Sequence, residues 1–516
     1  MFSRQKPLTF VQPWSSLYIF VRKKRVMRPP RLISATPKIS SLKINRICLC
    51  QRTRPVRYSE VHRNVSLFCF VGLNKALPSP ANPAFMPLKR REFLRLSAGT
   101  TPFGGVLLSG IPFGLSAFQL GSKTRSHVAD ALNLATLDVT PITIEERQSR
   151  ITKAQRLMSL NKIAAIVLDS GTSMIYFTGT SWGASERPMV AVIPAQGEVK
   201  YVCPAFEAER LRELITIGKE VRVWEEHESP YKVAAGILKD FDIRTGNIGI
   251  EERVRFFIFD GIRKEAPQFN YVSADPVTAA CRMIKSPAEL ALMQKANDIT
   301  VAAYKACIAL LREGMTPADF SSTAENAFSR LGVRGGLSAN FGQASAFPHG
   351  SIQTQHLKNG DVVLMDDGCK VEGYCSDISR CIVFGAEPTK RQMEIWDLEK
   401  KAQAAGFAAA RIGAPCENVD AAARKVITDA GFGPGYKIPG LPHRTGHGIG
   451  MDIHEWGNMV MGNKTPLQAG MCFSVEPMIA IYGEFGMRLE DCAYMTEDGP
   501  RWFSQPSPSI DQPFVS

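Results

Sequence analysis

Five of the eight histidines in this 516-residue chain fall between positions 349 and 454, a stretch whose apolar runs also carry isolated acids. The run His443-Arg444-Thr445-Gly446-His447-Gly448-Ile449-Gly450-Met451-Asp452-Ile453-His454-Glu455 sets three imidazoles within twelve residues, threaded with glycines that let backbone and ring approach a site closely. It is not an HExxH zinc helix, because Asn458 stands where the second histidine would follow His454-Glu455. Asp366 ends an apolar run that begins at Asp361, and Asp377 opens the run to Phe384. Glu372-Gly373-Tyr374 supplies turn chemistry between them, so the two runs are expected to form a hairpin that sets Asp366 beside Asp377. Two buried carboxylates repel and each is costly to bury, a conflict that a divalent cation resolves; capped turns or pairing with Arg380 would be the plainer alternative. Glu476 closes a run from Met471 that is apolar apart from Ser474. Arg488 and Glu490 share a strand face by the two-residue period, which by itself allows a mere local ion pair. Together these acids and one imidazole make an oxygen-rich, nitrogen-poor set suited to two hard divalent ions, Mn²⁺ foremost, with Co²⁺, Fe²⁺ and Zn²⁺ as alternatives.

Arranged in this way, the residues resemble the pita-bread metallopeptidases, the family of methionine aminopeptidase, aminopeptidase P, prolidase and the metal-free creatinase. Its pattern is an Asp, a second Asp eleven residues on, a Gly-His-Gly histidine, a Glu before Pro and a Glu before Asp. Asp366, Asp377, His447, Glu476 and Glu490 fill those places over about residues 280–497. The resemblance implies that these five hold two divalent ions sharing a hydroxide, with Glu476 also moving the proton. Outer positions are similar to the proline-specific branch. His349 lies seventeen residues before Asp366, where relatives keep a substrate-facing histidine. His454 corresponds to a histidine that stabilises the tetrahedral intermediate, His443 to a further active-site histidine, and Arg488 also has a counterpart. Upstream, Tyr176-Phe177-Thr178-Gly179 and Glu186-Arg187-Pro188 look like the creatinase-type N-terminal domain, which methionine aminopeptidases lack. One departure stands out: proline-specific relatives often carry Glu-Pro-Gly followed by a tyrosine, and here the run is Glu476-Pro477-Met478-Ile479-Ala480.

The implied activity is hydrolysis of Xaa-Pro bonds at peptide N-termini, of aminopeptidase P or prolidase type, by a homodimer or homotetramer. A creatinase-like C–N hydrolase and a non-enzymatic peptide-binding module of the same fold are the alternatives, and a filled ligand set weighs against both.

These residues need a scaffold, and the pattern supplies one. Ile-, Val- and Ala-rich strands are expected at Ala164–Leu168, Met174–Phe177, Met189–Ile193, Val199–Cys203, Val221–Trp224 and Ile248–Ile250, alternating with helices near 143–159 and 205–214. They make an α/β domain over about 141–277. Ser286-Pro287-Ala288-Glu289 opens a long helix expected to reach Arg312. Further helices near 317–331, 388–411 and 418–430 come in blocks between strands near 361–366, 377–384, 470–476 and 486–496. That order predicts an α+β fold over 280–510, the pita-bread catalytic domain behind a creatinase-like α/β domain.

Charge is distributed unevenly. Residues 1–85 carry sixteen Lys or Arg against a single acid, Glu60, so the rest of a chain of formal charge +13 is close to neutral and nucleic acid is not an expected partner. We read 1–85 as a basic leader outside the native protein, or as disordered, with Met86 as the start. From Met86, Arg90-Arg91-Glu92-Phe93-Leu94 and a weakly apolar stretch to about Leu120 resemble a twin-arginine signal at 86–120. That implies export to the periplasm or beyond, with membrane contact only through an uncleaved signal. Scattered cysteines without CxxC pairs read as reduced core thiols.

Overall fold

The structure, a computed structural model, describes residues 139–515. The leader, the Met86 start and the Arg90-Arg91 signal lie outside the described residues.

Ile163–Asp169 is the spine of the N-terminal domain. It pairs antiparallel with Val190–Pro194 and parallel with Asn247–Ile250, and the six-stranded sheet is completed by Lys200–Pro204, Glu220–Trp224 and Asn270–Ser273. Side chains alternate across it by the strand period: Ile166 and Leu168 join Ile151, Ala154 and Met158 of the helix Ile144–Leu160 on one face. Ala165 and Val167 meet Ile237 and Ile258, from helices Pro230–Asp240 and Phe256–Glu265, on the other. Both faces are covered, which explains the continuous apolar run.

Met174–Phe177 is not a strand. It lies in the helix Thr172–Thr178, which stops at Gly179, whose left-handed φ of 75° and N–H bond to the Ile175 carbonyl form the C-terminal cap. A short run of apolar residues carries neither period, and only the flanking glycines distinguish the two outcomes.

The catalytic half begins with the expected capping box, in which Ser286 and Glu289 satisfy each other's backbone N–H groups at the head of Pro287–Ile308. This helix ends four residues before Arg312. Helices Lys390–Ala409 and Glu417–Asp429 pack beside strands arranged as a three-stranded sheet (Arg380–Val383, Val362–Asp366, Ser338–Phe341) and a five-stranded one. The five strands, in order, are Glu455–Met459, Gly446–Gly448, Cys472–Val475, Asp491–Thr496 and Gly499–Trp502.

Two further expectations about strands are corrected. Glu372 and Gly373, both at positive φ (48° and 87°), close a separate short hairpin between Cys369–Val371 and Tyr374–Cys375. The aspartate-bearing runs pair farther out, with Arg380 opposite Met365, so Asp366 ends a strand while Asp377 sits in the loop before the next. The expected strand over 486–496 is two strands. Phe485–Arg488 pairs with Met478–Ile481, and Asp491–Thr496 crosses into the five-stranded sheet, leaving Glu490 where the chain changes sheets. A backbone bridge between Ser379 and Glu490 ties that junction to the Asp377 loop.

The nine cysteines among the described residues are all buried and unpaired. No described helix is long and apolar enough to cross a membrane.

Candidate metal centre and active site

Each side chain of the candidate site comes from a different structural device. His447 is central in the short strand Gly446–Gly448, where a Cβ at Gly448 would strike the carbonyl oxygen of Trp456 on the neighbouring strand. Its N–H donates to Ser474 Oγ at 3.0 Å, fixing it against Cys472–Val475. The preceding turn is held by the helix Glu417–Asp429: Asp420 accepts from the Thr445 N–H (3.0 Å) and hydroxyl (2.9 Å), and Arg424 donates to the His443 carbonyl (2.6 Å). Arg380 does not meet the site carboxylates. It pairs with Asp491 at 2.7 Å, both side chains fully buried, and donates to the Glu490 carbonyl at 2.8 Å, so this ion pair pins the backbone that presents Glu490.

Around His447 Nε2 the structure gathers Glu476 Oε1 at 3.3 Å, Asp377 Oδ2 at 3.6 Å and Glu490 Oε1 at 3.8 Å. Ligand atoms of Asp377, His447 and Glu490 all lie within 4.8 Å of one another. Such separations are too long for good hydrogen bonds and suit atoms that share one ion at about 2 Å each. Glu490 Oε1 is buried with no hydrogen-bond partner among the described residues, as expected of an oxygen meant for a cation. Asp366 stands at the edge of the group, its carboxylate held by the Arg488 guanidinium and by Ser379 Oγ at 2.6 Å. The same hydroxyl lies 2.7 Å from Glu490 Oε2 and accepts from Arg488 Nε at 2.9 Å.

The electrostatics carry the same message. Burial, then the charges of Asp366 and Glu476, pushes the Asp377 carboxyl well above its usual range. Glu490 is raised likewise by burial, then by Asp377 and Glu476. Burial raises Glu476 to about 7, against the pull of Arg488. Asp366 alone is lowered: burial opposes its charge, but Arg488 and Ser379 outweigh it. Burial, then His454, depresses His447 to about 3, keeping the imidazole neutral and free to ligate. Three carboxyls that cannot ionise together, beside a neutral imidazole, form a donor set that fits divalent cations.

The outer histidines ring this group. His454 packs edge-on against His447 with ring centroids 4.2 Å apart, on its solvent side, and burial followed by Arg444 lowers its pKa. His349 is exposed and lines a cleft of about 620 Å³ with Asp366, Asp367 and Asn340. His443 is lowered to about 4 by burial and then by Arg488; its Nδ1 meets the Arg444 carbonyl at 2.7 Å and its Nε2 has no partner. Sequence reasoning missed Ser379. Its one signal was position, two residues after Asp377 in a run whose only other polar member before Phe384 is Arg380.

An oxygen-rich centre between two sheets, behind a creatinase-like α/β domain, defines a metal-dependent peptidase of the pita-bread type. Residues 291–497 match metallopeptidase family M24, and residues 150–284 match the creatinase/prolidase N-terminal domain. An uncharacterised peptidase of Schizosaccharomyces pombe is 35% identical over 380 residues, 69% of this chain and 80% of that one. An Xaa-Pro dipeptidase of Lactobacillus delbrueckii subsp. lactis is 31% identical over 366 residues, 69% of this chain and 97% of that one. The crystal structure of a prolidase from Thermococcus sibiricus superposes with a TM-score of 0.65 at 28% identity, covering 71% of this chain and 98% of that one. The chain belongs to metallopeptidase family M24, a hydrolase of peptides whose family implies divalent metal ions.

Proposed function

We propose that the protein is a dinuclear exopeptidase that cleaves the bond between the first residue of a peptide and a proline in second place. The observation that carries this reading is the convergence of Asp377, His447 and Glu490 within 4.8 Å, with Glu476 and Asp366 beside them. The similarity to an Xaa-Pro dipeptidase directs it toward proline. Asp366, Asp377, His447, Glu476 and Glu490 would hold the two ions, and their oxygen-rich character favours Mn²⁺. Divalent ions, when bound, supply Lewis-acid polarisation of the scissile carbonyl and lower the pKa of an attacking water.

The chain's own groups do the rest. Glu476, buried 3.3 Å from His447 Nε2, takes the proton of the attacking water and returns it to the departing prolyl nitrogen. His454 donates an N–H to the oxyanion from the solvent side of His447, and His349 approaches from the cleft wall. Arg488 and Ser379 each hold one oxygen of Asp366 and together fix its orientation toward the centre. His443, neutral and with its buried Nε2 unpaired among the described residues, lies beside the centre as a polar group with a bond still to make.

Rates on Ala-Pro, Ala-Pro-Ala and Ala-Ala-Ala, with metal-replete protein, test the reading. Preference for the proline peptides is expected, and the length series separates a prolidase-type from an aminopeptidase P-type enzyme. Equal rates on proline and alanine peptides would refute the specificity. His454→Ala is expected to lose about 10²–10³ in kcat with its metal content intact.

A further inference from the structure

His454, like His349, is exposed, and its own ring makes no hydrogen bond among the described residues that would hold it. The residues on either side of it are anchored. Asp452, two residues before it, accepts from Thr172 Oγ1 at 2.8 Å, from Arg253 at 3.3 Å and from Arg282 at 2.8 Å. All three donors belong to the stretch that matches the creatinase/prolidase N-terminal domain. Glu455, the residue after His454, has a side chain about 1% exposed that accepts from Lys285 Nζ at 2.9 Å and from Arg282 at 2.5 Å. It turns back to accept the N–H groups of Met451 and Asp452 at 3.0 and 3.2 Å, closing the loop on itself. Gly450 is needed for that closure, since a Cβ there would meet the Glu455 carboxylate and the Lys285 side chain. Arg282 is itself seated, donating to Ser173 Oγ at 3.1 Å, and Ser173 donates to Glu251 at 2.7 Å.

Glu455, paired with Lys285 and accepting from Met451 and Asp452, closes the loop on itself. The Asp452 contacts add something different, because they tie the loop to the helix Thr172–Thr178 and the Arg253 turn of another domain. We infer that the N-terminal domain positions His454 for catalysis, with Asp452 as the clamp gripped by Thr172, Arg253 and Arg282. The inference rests on the catalytic role proposed for His454. Thr172, Arg253 and Asp452 are positioning residues, acting on substrate only through the His454 ring. Misplacement of a catalytic group by about 1 Å can cost as much as 100-fold in rate, so releasing the clamp acts on turnover far more than on ion binding.

Arg253 is about half exposed, so it can be replaced without opening the core. The experiment measures kcat, KM, metal content and melting temperature for Thr172→Val/Arg253→Gln in the full-length, metal-replete protein, alone and combined with His454→Ala. Arg253→Lys serves as the conservative rescue. The double substitution is expected to lower kcat by about 10- to 100-fold with KM and metal content near wild type. Added to His454→Ala it should lower kcat by less than about twofold, because non-additivity is the mark of groups acting as one unit. Unchanged kcat in the double variant, or the same loss on the His454→Ala background, overturns the positioning role alone. Wild-type kcat in His454→Ala overturns both this inference and the catalytic role on which it rests.

Discussion

Replacing Ser379 with alanine removes one hydroxyl from the middle of the centre. Its Oγ lies 2.6 Å from Asp366 Oδ1, 2.7 Å from Glu490 Oε2 and 2.9 Å from Arg488 Nε. A hydroxyl has one proton, so it can satisfy only one of the two carboxylates at a time, while it gives the buried Arg488 Nε an acceptor. Without it, Asp366 and Glu490 lose the group that spaces them, and an arginine N–H is left unpaired. A hydrogen bond to a charged group contributes about 1.5–3 kcal/mol. At ~1.4 kcal/mol per tenfold, the ions should bind roughly 10- to 100-fold more weakly, the usual loss when a group behind the metal ligands is removed. Competition with a chromogenic chelator gives the affinity, and kcat at saturating Mn²⁺ should recover more than the affinity does. Ser379→Thr keeps the hydroxyl and should bind ions nearly as wild type does. Alanine binding both ions as tightly as serine would refute the bridging role.

Three further outcomes are expected. Asp377, Glu476 and Glu490 have raised pKa values in the ion-free fold, so their contribution to stability is complete below the ordinary carboxylate range and is lost as pH rises through their folded values, about 7 for Glu476. His447 and His443 act in the opposite sense, but only below their usual 6.5. Above about pH 6.5 the melting temperature of chelator-treated protein should therefore fall, and its gap to Mn²⁺-loaded protein should widen; a constant gap would contradict this. Arg380→Leu strands the fully buried Asp491 carboxylate and should cost about 3–5 kcal/mol in denaturant unfolding, whereas a loss under about 1 kcal/mol would show the pair to be dispensable. We propose that Arg90 and Arg91 direct twin-arginine export; replacing both with Lys should retain the protein in the cytoplasm, and normal export would exclude the route.

Much of the site could be read in advance because its acids contradict their surroundings. Asp366 and Glu476 end runs that otherwise read as core, and a carboxylate in such a place needs a partner whatever the fold. The capping box at Ser286 was equally local, since Ser, Pro and Glu in those places satisfy backbone groups within one turn. What escaped depends on tertiary choices. Nothing near Leu489 announces that the chain leaves one sheet for another there, because the choice lies with the partners Met478–Ile481 and Cys472–Val475. The turn at Glu372-Gly373 was legible as a turn, but the hairpin it closes belongs to a different sheet from Asp366. Ser379 gave little warning, because one hydroxyl beside an apolar run is compatible with many roles. The Asp452 clamp joins residues 280, 199 and 170 positions apart, contacts that no local pattern contains.

The central claim is that five side chains hold two catalytic ions, and elemental analysis coupled to activity tests it most directly. Purified protein loaded with Mn²⁺ and freed of excess should contain two ions per chain. Stepwise chelation should abolish Ala-Pro cleavage as the ions leave, and adding Mn²⁺ back should restore it. Asp377→Ala or Glu490→Ala should retain at most one ion. Undiminished cleavage by protein that contains no stoichiometric metal would contradict the account and favour the metal-free, creatinase-like reading.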